Sequence, residues 1–187
     1  SAKLFQKVKI ANQFGIKGVE NDNLSFDWAM AKNRAYQITK KLNAGINYLL
    51  NKNGVHIING KAKITAANSI SVDNRKITAS NIIIATGSYP KQSGFESNKS
   101  FVSVQKLFDV EKLPRKITVF GAGAAAVELA QFFAMAAYES NLVSPQENII
   151  PGLDKVASDF IIDAVTKSGV KIFKGENIIS FENTLNR

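Results

Sequence analysis

Ile117 to Ala130 reads ITVFGAGAAAVELA, an apolar strand pattern running into Gly121-x-Gly123-x-x-Ala126 and straight on into helix-forming residues. That spacing suits the holding of phosphate. Gly121 permits a tight turn, Gly123 leaves no side chain where a pyrophosphate must approach the backbone, and Ala126 is small enough for close packing of helix on strand. Amides at the start of the helix would then meet the phosphates. A merely structural turn is the plain alternative; the strand before, the helix after and the βαβ order downstream favour dinucleotide binding.

The same pattern calls for an acidic residue at the end of the second strand, ~20 residues on, to accept hydrogen bonds from the adenosine ribose. Here that position is Ser144, flanked by Pro145 and Gln146, with Glu139 and Glu147 to either side. A serine can bond a 2′-hydroxyl and would not repel a 2′-phosphate, yet no Arg or Lys follows to pair with one. NAD is preferred over NADP by a small margin.

Other chemistry is scarce. With no cysteines the chain forms neither a disulfide nor a thiolate metal site, and it runs no thiol reaction. His56, the single histidine, lies in a short strand pattern (VHII) far from any nucleophile and reads as structural. The formal charge of +9 raises the question of a polyanion partner, but the basic residues are dispersed and lack interleaved aromatics, which argues for a solvated basic surface instead of nucleic-acid binding. No run approaches the roughly 18 apolar residues a membrane helix requires, so a soluble intracellular protein is expected. The chain opens on Ser1, not Met, and stops at FENTLNR, so both ends are expected to be cuts.

The elements that must position these residues follow from periodicity in a chain of ordinary globular composition, 45% hydrophobic and 21% charged. Residues 2–14 place Leu4, Val8 and Ala11 on one helical stripe, with Gly15 as a left-handed cap. A longer helix is expected from Ser25 as N-cap through Trp28, Ala31, Ala35, Ile38, Leu42, Ile46 and Leu49 to Asn53-Gly54. The period then falls to two over Val55–Ile58, Lys61–Thr65, Ser69–Val72 and Lys76–Thr78, giving three or four antiparallel strands with Asp73-Asn74 as a turn. Asn81 to Ala85 (NIIIA) is a continuous apolar run, read as a parallel strand buried on both faces and emptying into Thr86-Gly87-Ser88. A connection follows, with one short helical stretch near Val104–Val110. From Lys116 strands and helices alternate: Ile117–Phe120, Ala124–Ala136, Asn141–Val143, Lys155–Lys167 with Asp154 as N-cap and Gly169 as C-cap, and Val170–Phe173.

Taken together, the helix, the meander, IIIATGS, the connection and G-x-G-x-x-A-x-E resemble the flavoprotein pyridine nucleotide-disulfide oxidoreductases. Phe14-Gly15, KKLNAGINYLLNKNGVHIINGKAKI, NIIIATGSYPK and PQENIIPGLDKVASDF are most similar to the dihydrolipoamide dehydrogenase branch. The resemblance covers essentially the whole chain. It implies an α/β protein with FAD/NAD(P)-binding Rossmann-like domains, a parallel doubly wound sheet and an antiparallel β-meander. Residues 1–92 would be the C-terminal part of the FAD domain, 93–115 the connection, and 116–187 the first part of the NAD domain.

Position by position, Thr86, Gly87 and Ser88 match a loop passing the flavin nucleotide, and Ala62 matches a backbone contact to the FAD adenine. Gly121, Gly123, Ala126 and Glu128 match the NAD turn, Glu128 as a glutamate near the nicotinamide ribose. Ala126, Ala137 and Ser140 depart from the family's usual Gly, Gly and apolar residue; the last two are expected to weaken the fold locally. The family's dithiol and catalytic His-Glu pair have no counterparts here, so no catalytic or metal-ligating residue is expected and the chain alone is expected to be inactive. The resemblance further implies FAD and NAD as cofactors, dihydrolipoamide on a 2-oxo acid dehydrogenase complex as partner, a homodimeric parent, and bacterial cytoplasm or mitochondrial matrix as its place. Mercuric or glutathione reductase, NADH oxidase, and a degenerate nucleotide-binding module without redox activity remain as alternatives.

Overall fold

The computed structural model describes residues 1–20, 23–90 and 94–179; the terminal FENTLNR lies outside them. The described chain is α/β, with one parallel and one antiparallel three-stranded sheet. By chain contacts it divides into two units, Ser1–Lys32 with Ser97–Arg187, and Asn33–Glu96.

The first unit carries the glycine pattern. It contains α1 (Ala2–Lys9), a 3-10 turn at Ala11–Phe14, the start of α2 (Trp28–Lys52) and a second 3-10 turn at Val104–Asp109. These lead into a βαβαβ run: β4 (Lys116–Phe120), α3 (Ala124–Met135), β5 (Glu139–Ser144), α4 (Lys155–Lys167) and β6 (Lys171–Lys174). The three strands are parallel in the order β4-β5-β6, with Phe120 beside Val143 and Ser144 beside Lys174. β5 is the buried middle strand, Leu142 at 0% exposure, and Val127, Ala130, Ile149, Val165 and Val170 close the core against it. α3 is apolar nearly all round because it serves two clusters: Val127 and Ala130 in this one, Phe133 in a second with Trp28 and Leu107. In that second cluster Trp28 stacks on Phe108, and its indole N–H donates to Val110 O at 2.9 Å.

Two helix ends have the same architecture with different residues. After α3, Ala137 N donates to Ala134 O and Tyr138 N to Phe133 O, both at 3.0 Å, while the Tyr138 and Phe133 rings meet edge to face. After α4, Gly169 N donates to Thr166 O and Val170 N to Val165 O. Both are Schellman closures needing a left-handed residue; Ala137 has φ 67° and Gly169 φ 99°. At Ser140 the buried hydroxyl donates to Ala130 O at 2.8 Å, so the serine is satisfied within the core.

The second unit holds the rest of α2 and an antiparallel meander, β1 (Ala62–Ala66), β2 (Ser69–Val72) and β3 (Arg75–Thr78). Asp73 and Asn74 both have positive φ, 43° and 70°, and join Val72 to its partner Arg75 as a two-residue turn with the twist of the strands it links.

Several expectations are corrected. The first helix stops at Lys9 and the chain tightens into 3-10 geometry before Gly15, leaving Leu4 and Phe14 exposed while Ala2 and Ala11 are buried. Asp27, not Ser25, caps α2, its Oδ1 accepting from Met30 N at 2.9 Å. Val55–Ile58 is not a strand, so the meander has three members. Asn81–Ala85 is not a buried strand either: Ile83 is 90% exposed. A parallel strand is covered only between neighbours, and among the described residues no strand pairs with this run. The expected stripe on α2 beyond Trp28 is likewise open, with Leu42, Ile46 and Leu49 exposed.

Candidate functional site

At the carboxyl end of β4 the chain leaves the sheet at Gly121, whose φ of 144° a side chain would resist. Gly121 N donates to Val143 O of β5 at 2.9 Å, and Ala122 O accepts from Ile150 N at 2.7 Å, so the turn is pinned to the middle strand and to the loop following it. A Cβ placed on Gly121 would lie 3.2 Å from the Ala126 Cβ, so the first and third pattern positions touch and must both be small. A Cβ on Gly123 would meet nothing within 4 Å: the space above this residue is open.

Gly123 is the N-cap of α3, extended at φ −79° and ψ 170°, and no side chain caps this helix. α4 differs, its first turn closed by the Asp154 carboxylate accepting from Ala157 N at 3.0 Å. The exposed stretch Gly123–Ala125 therefore presents first-turn amides without a side-chain acceptor, at the positive end of a 12-residue helix. These features fit a dinucleotide pyrophosphate: open space where it must approach, donors aimed there, and small residues that let helix and strand close behind it.

The remaining predicted residues fall in three places. Glu128 is exposed on the second turn of α3, too far along to cap it. Ser144, at the end of β5, is 0% exposed; its hydroxyl donates to Gln146 O at 2.7 Å and accepts from Gln146 N at 3.1 Å. Ala62, Thr86, Gly87 and Ser88 belong to the second unit, Ala62 opening β1 and the other three exposed in unpaired chain, with Gly87 at φ 73°. Ile150 was not singled out from the sequence. This β-branched residue takes φ 57° to bring its amide to Ala122 O, and only Pro151-Gly152 hinted at a turn there.

Residues 6–185 match the profile of the pyridine nucleotide-disulphide oxidoreductase family. The chain belongs to that family. Among its curated relatives are dihydrolipoyl dehydrogenases from Acholeplasma laidlawii, 29% identical over 92% of this chain, and from Chlorobaculum tepidum, 30% over 95%. A glutathione reductase from Schizosaccharomyces pombe is 30% identical over 91%. The chain spans about half the length of the first of these (52%) and about two-fifths of the others (39% and 38%). Family membership accounts for the α/β architecture. Among the described residues no cluster of acids and histidine could hold a metal ion, and no helix is long and apolar enough to cross a membrane.

Proposed function

We propose that this chain is the NAD-holding half-domain, with part of the FAD wall, of an enzyme that oxidises dihydrolipoamide and passes hydride to NAD. The observation that carries the reading is the Gly121–Ala126 turn, with its open approach at Gly123 and uncapped helix. When bound, FAD and NAD supply the redox chemistry. The chain's own residues bind and orient. First-turn amides of α3 hold the pyrophosphate, Gly123 leaves it room, and the Gly121–Ala126 contact keeps the helix end rigid behind it. Glu128, exposed on α3, accepts from the nicotinamide ribose. In the second unit Ala62 offers backbone to the FAD adenine, and Thr86, Gly87 and Ser88 form the loop beside the flavin nucleotide. The functional boundaries are 1–92 for FAD, 93–115 for the connection and 116–187 for NAD.

With no thiol in the sequence the chain alone should not turn over dihydrolipoamide. In the parent, a homodimer in the bacterial cytoplasm, the substrate would be carried on a 2-oxo acid dehydrogenase complex; the names of several relatives support this choice. A disulfide reductase of the glutathione type is the second reading, favoured by the Schizosaccharomyces relative.

The test is titration of the purified chain with NADH and NADPH, followed by nicotinamide fluorescence, beside Gly123→Val. The backbone at 123 is extended and its surroundings empty, so valine fits without strain. Saturable binding should disappear in the variant while its circular dichroism is unchanged. Equal binding by both proteins would remove the glycine turn as the site.

A further inference from the structure

Ser144 stands where the fold places its ribose-reading group, yet it is the wrong way round for that task. A hydroxyl has one proton and two lone pairs; the proton is given to Gln146 O, one lone pair is taken by Gln146 N, and the side chain is sealed from solvent. The same short segment is fastened to the end of β6, with Glu176 N donating to Ser144 O at 3.0 Å and Gly175 N to Gln146 O at 3.4 Å. Backbone bonds thus hold the loop in shape, and the Ser144 hydroxyl adds to its stability without reaching its surface.

What that shape presents is Glu147. It is exposed, and its carboxylate lies over Gly175, where a Cβ would collide with Oε1. There it walls a cleft of about 330 Å³ with Asn148, Lys174 and the first turns of α4. The cleft opens at the carboxyl ends of β5 and β6, and the loop is tied to the glycine turn through Ile150 N and Ala122 O. A dinucleotide whose pyrophosphate rests on α3 runs its adenosine along this edge, outside the carboxyl ends of the strands.

We infer that Glu147, not Ser144, reads the adenosine ribose and selects NAD(H) over NADP(H), the Ser144 hydroxyl being spent on Gln146 within the loop. The inference rests on the dinucleotide reading of the glycine turn. The Glu147 carboxylate accepts from ribose hydroxyls and repels a 2′-phosphate. Lys174, which has no ion-pair partner among the described residues, lines the same cleft, whereas Lys155 is paired with Asp159. Neutralising Glu147 leaves Lys174 unopposed.

Dissociation constants for NADH and NADPH should be measured on the chain, on Glu147→Gln and on Ser144→Ala. The unmodified chain should prefer NADH. Glu147→Gln should move the ratio toward NADPH by about tenfold, the order expected from one like-charge contact near the surface. Ser144→Ala should lower the urea midpoint and leave the ratio unchanged. A ratio indifferent to Glu147→Gln, or one moved by Ser144→Ala instead, would overturn the assignment while leaving the glycine-turn reading intact. Binding of neither nucleotide by the folded chain would remove both.

Discussion

Exchanging the residues at the two Schellman closures tests whether left-handed strain at Ala137 destabilises this unit. Ala137 is exposed and holds φ 67°, so its methyl group is strained without gaining burial. Left-handed geometry costs an L-residue roughly 1–2 kcal/mol, and replacing alanine by glycine returns about 0.4–1 kcal/mol through the greater freedom of the unfolded chain. Ala137→Gly should therefore stabilise by about 0.5–1 kcal/mol. Gly169→Ala is the reverse experiment: a Cβ there has only the Ala134 Cβ at 4.0 Å, an ordinary contact, so the change is confined to the backbone and should destabilise by a similar amount. With a urea slope of roughly 2 kcal/mol/M the midpoints should move by about 0.3–0.5 M in opposite directions. Trp28, the single tryptophan, is 6% exposed in this unit, and its fluorescence reports the transition. A lower midpoint for Ala137→Gly, or no cost for Gly169→Ala, would refute the account.

Ser140→Ala removes the hydroxyl bonded to Ala130 O and should cost about 0.5–1.5 kcal/mol in the same urea assay. Asp154→Ala removes the cap from Ala157 N and should cost about 1 kcal/mol, while nucleotide affinity at the glycine turn is unchanged. Burial, and then the Asp27 carboxylate, raise the Tyr138 hydroxyl above its ordinary 10.0. The unfolded chain loses that proton first, so the contribution is full below pH 10.0 and falls as pH rises toward the folded value. Tyr138→Phe should flatten the decline in urea midpoint as pH rises above 10.0.

Residues 116–174 and the meander turn were legible in the sequence because their signals are local: a glycine pattern between strand and helix, Asp154 three residues before the amide it caps, Gly169 at a left-handed end, and, in the second unit, Asp73-Asn74 at a two-residue hairpin. Such features depend on a few dihedrals and short-range bonds, and residue type alone constrains them. The glycine turn itself belongs to this class, since the smallness of Gly121 and Ala126 and the absence of a capping side chain are written in the letters.

Tertiary structure decided matters of neighbourhood. NIIIA has the composition of a buried strand, but burial requires flanking strands and the described residues supply none, so Ile83 stays in solvent. Ser140 looked like a defect until folding brought Ala130 O within 2.8 Å. The Ser144 hydroxyl is closed by Gln146 within its own loop, and the Glu147 carboxylate lies over Gly175, 28 positions later in the chain, where a side chain would meet it. Periodicity says which side of an element is apolar, but what lies against that side depends on contacts between residues far apart in sequence.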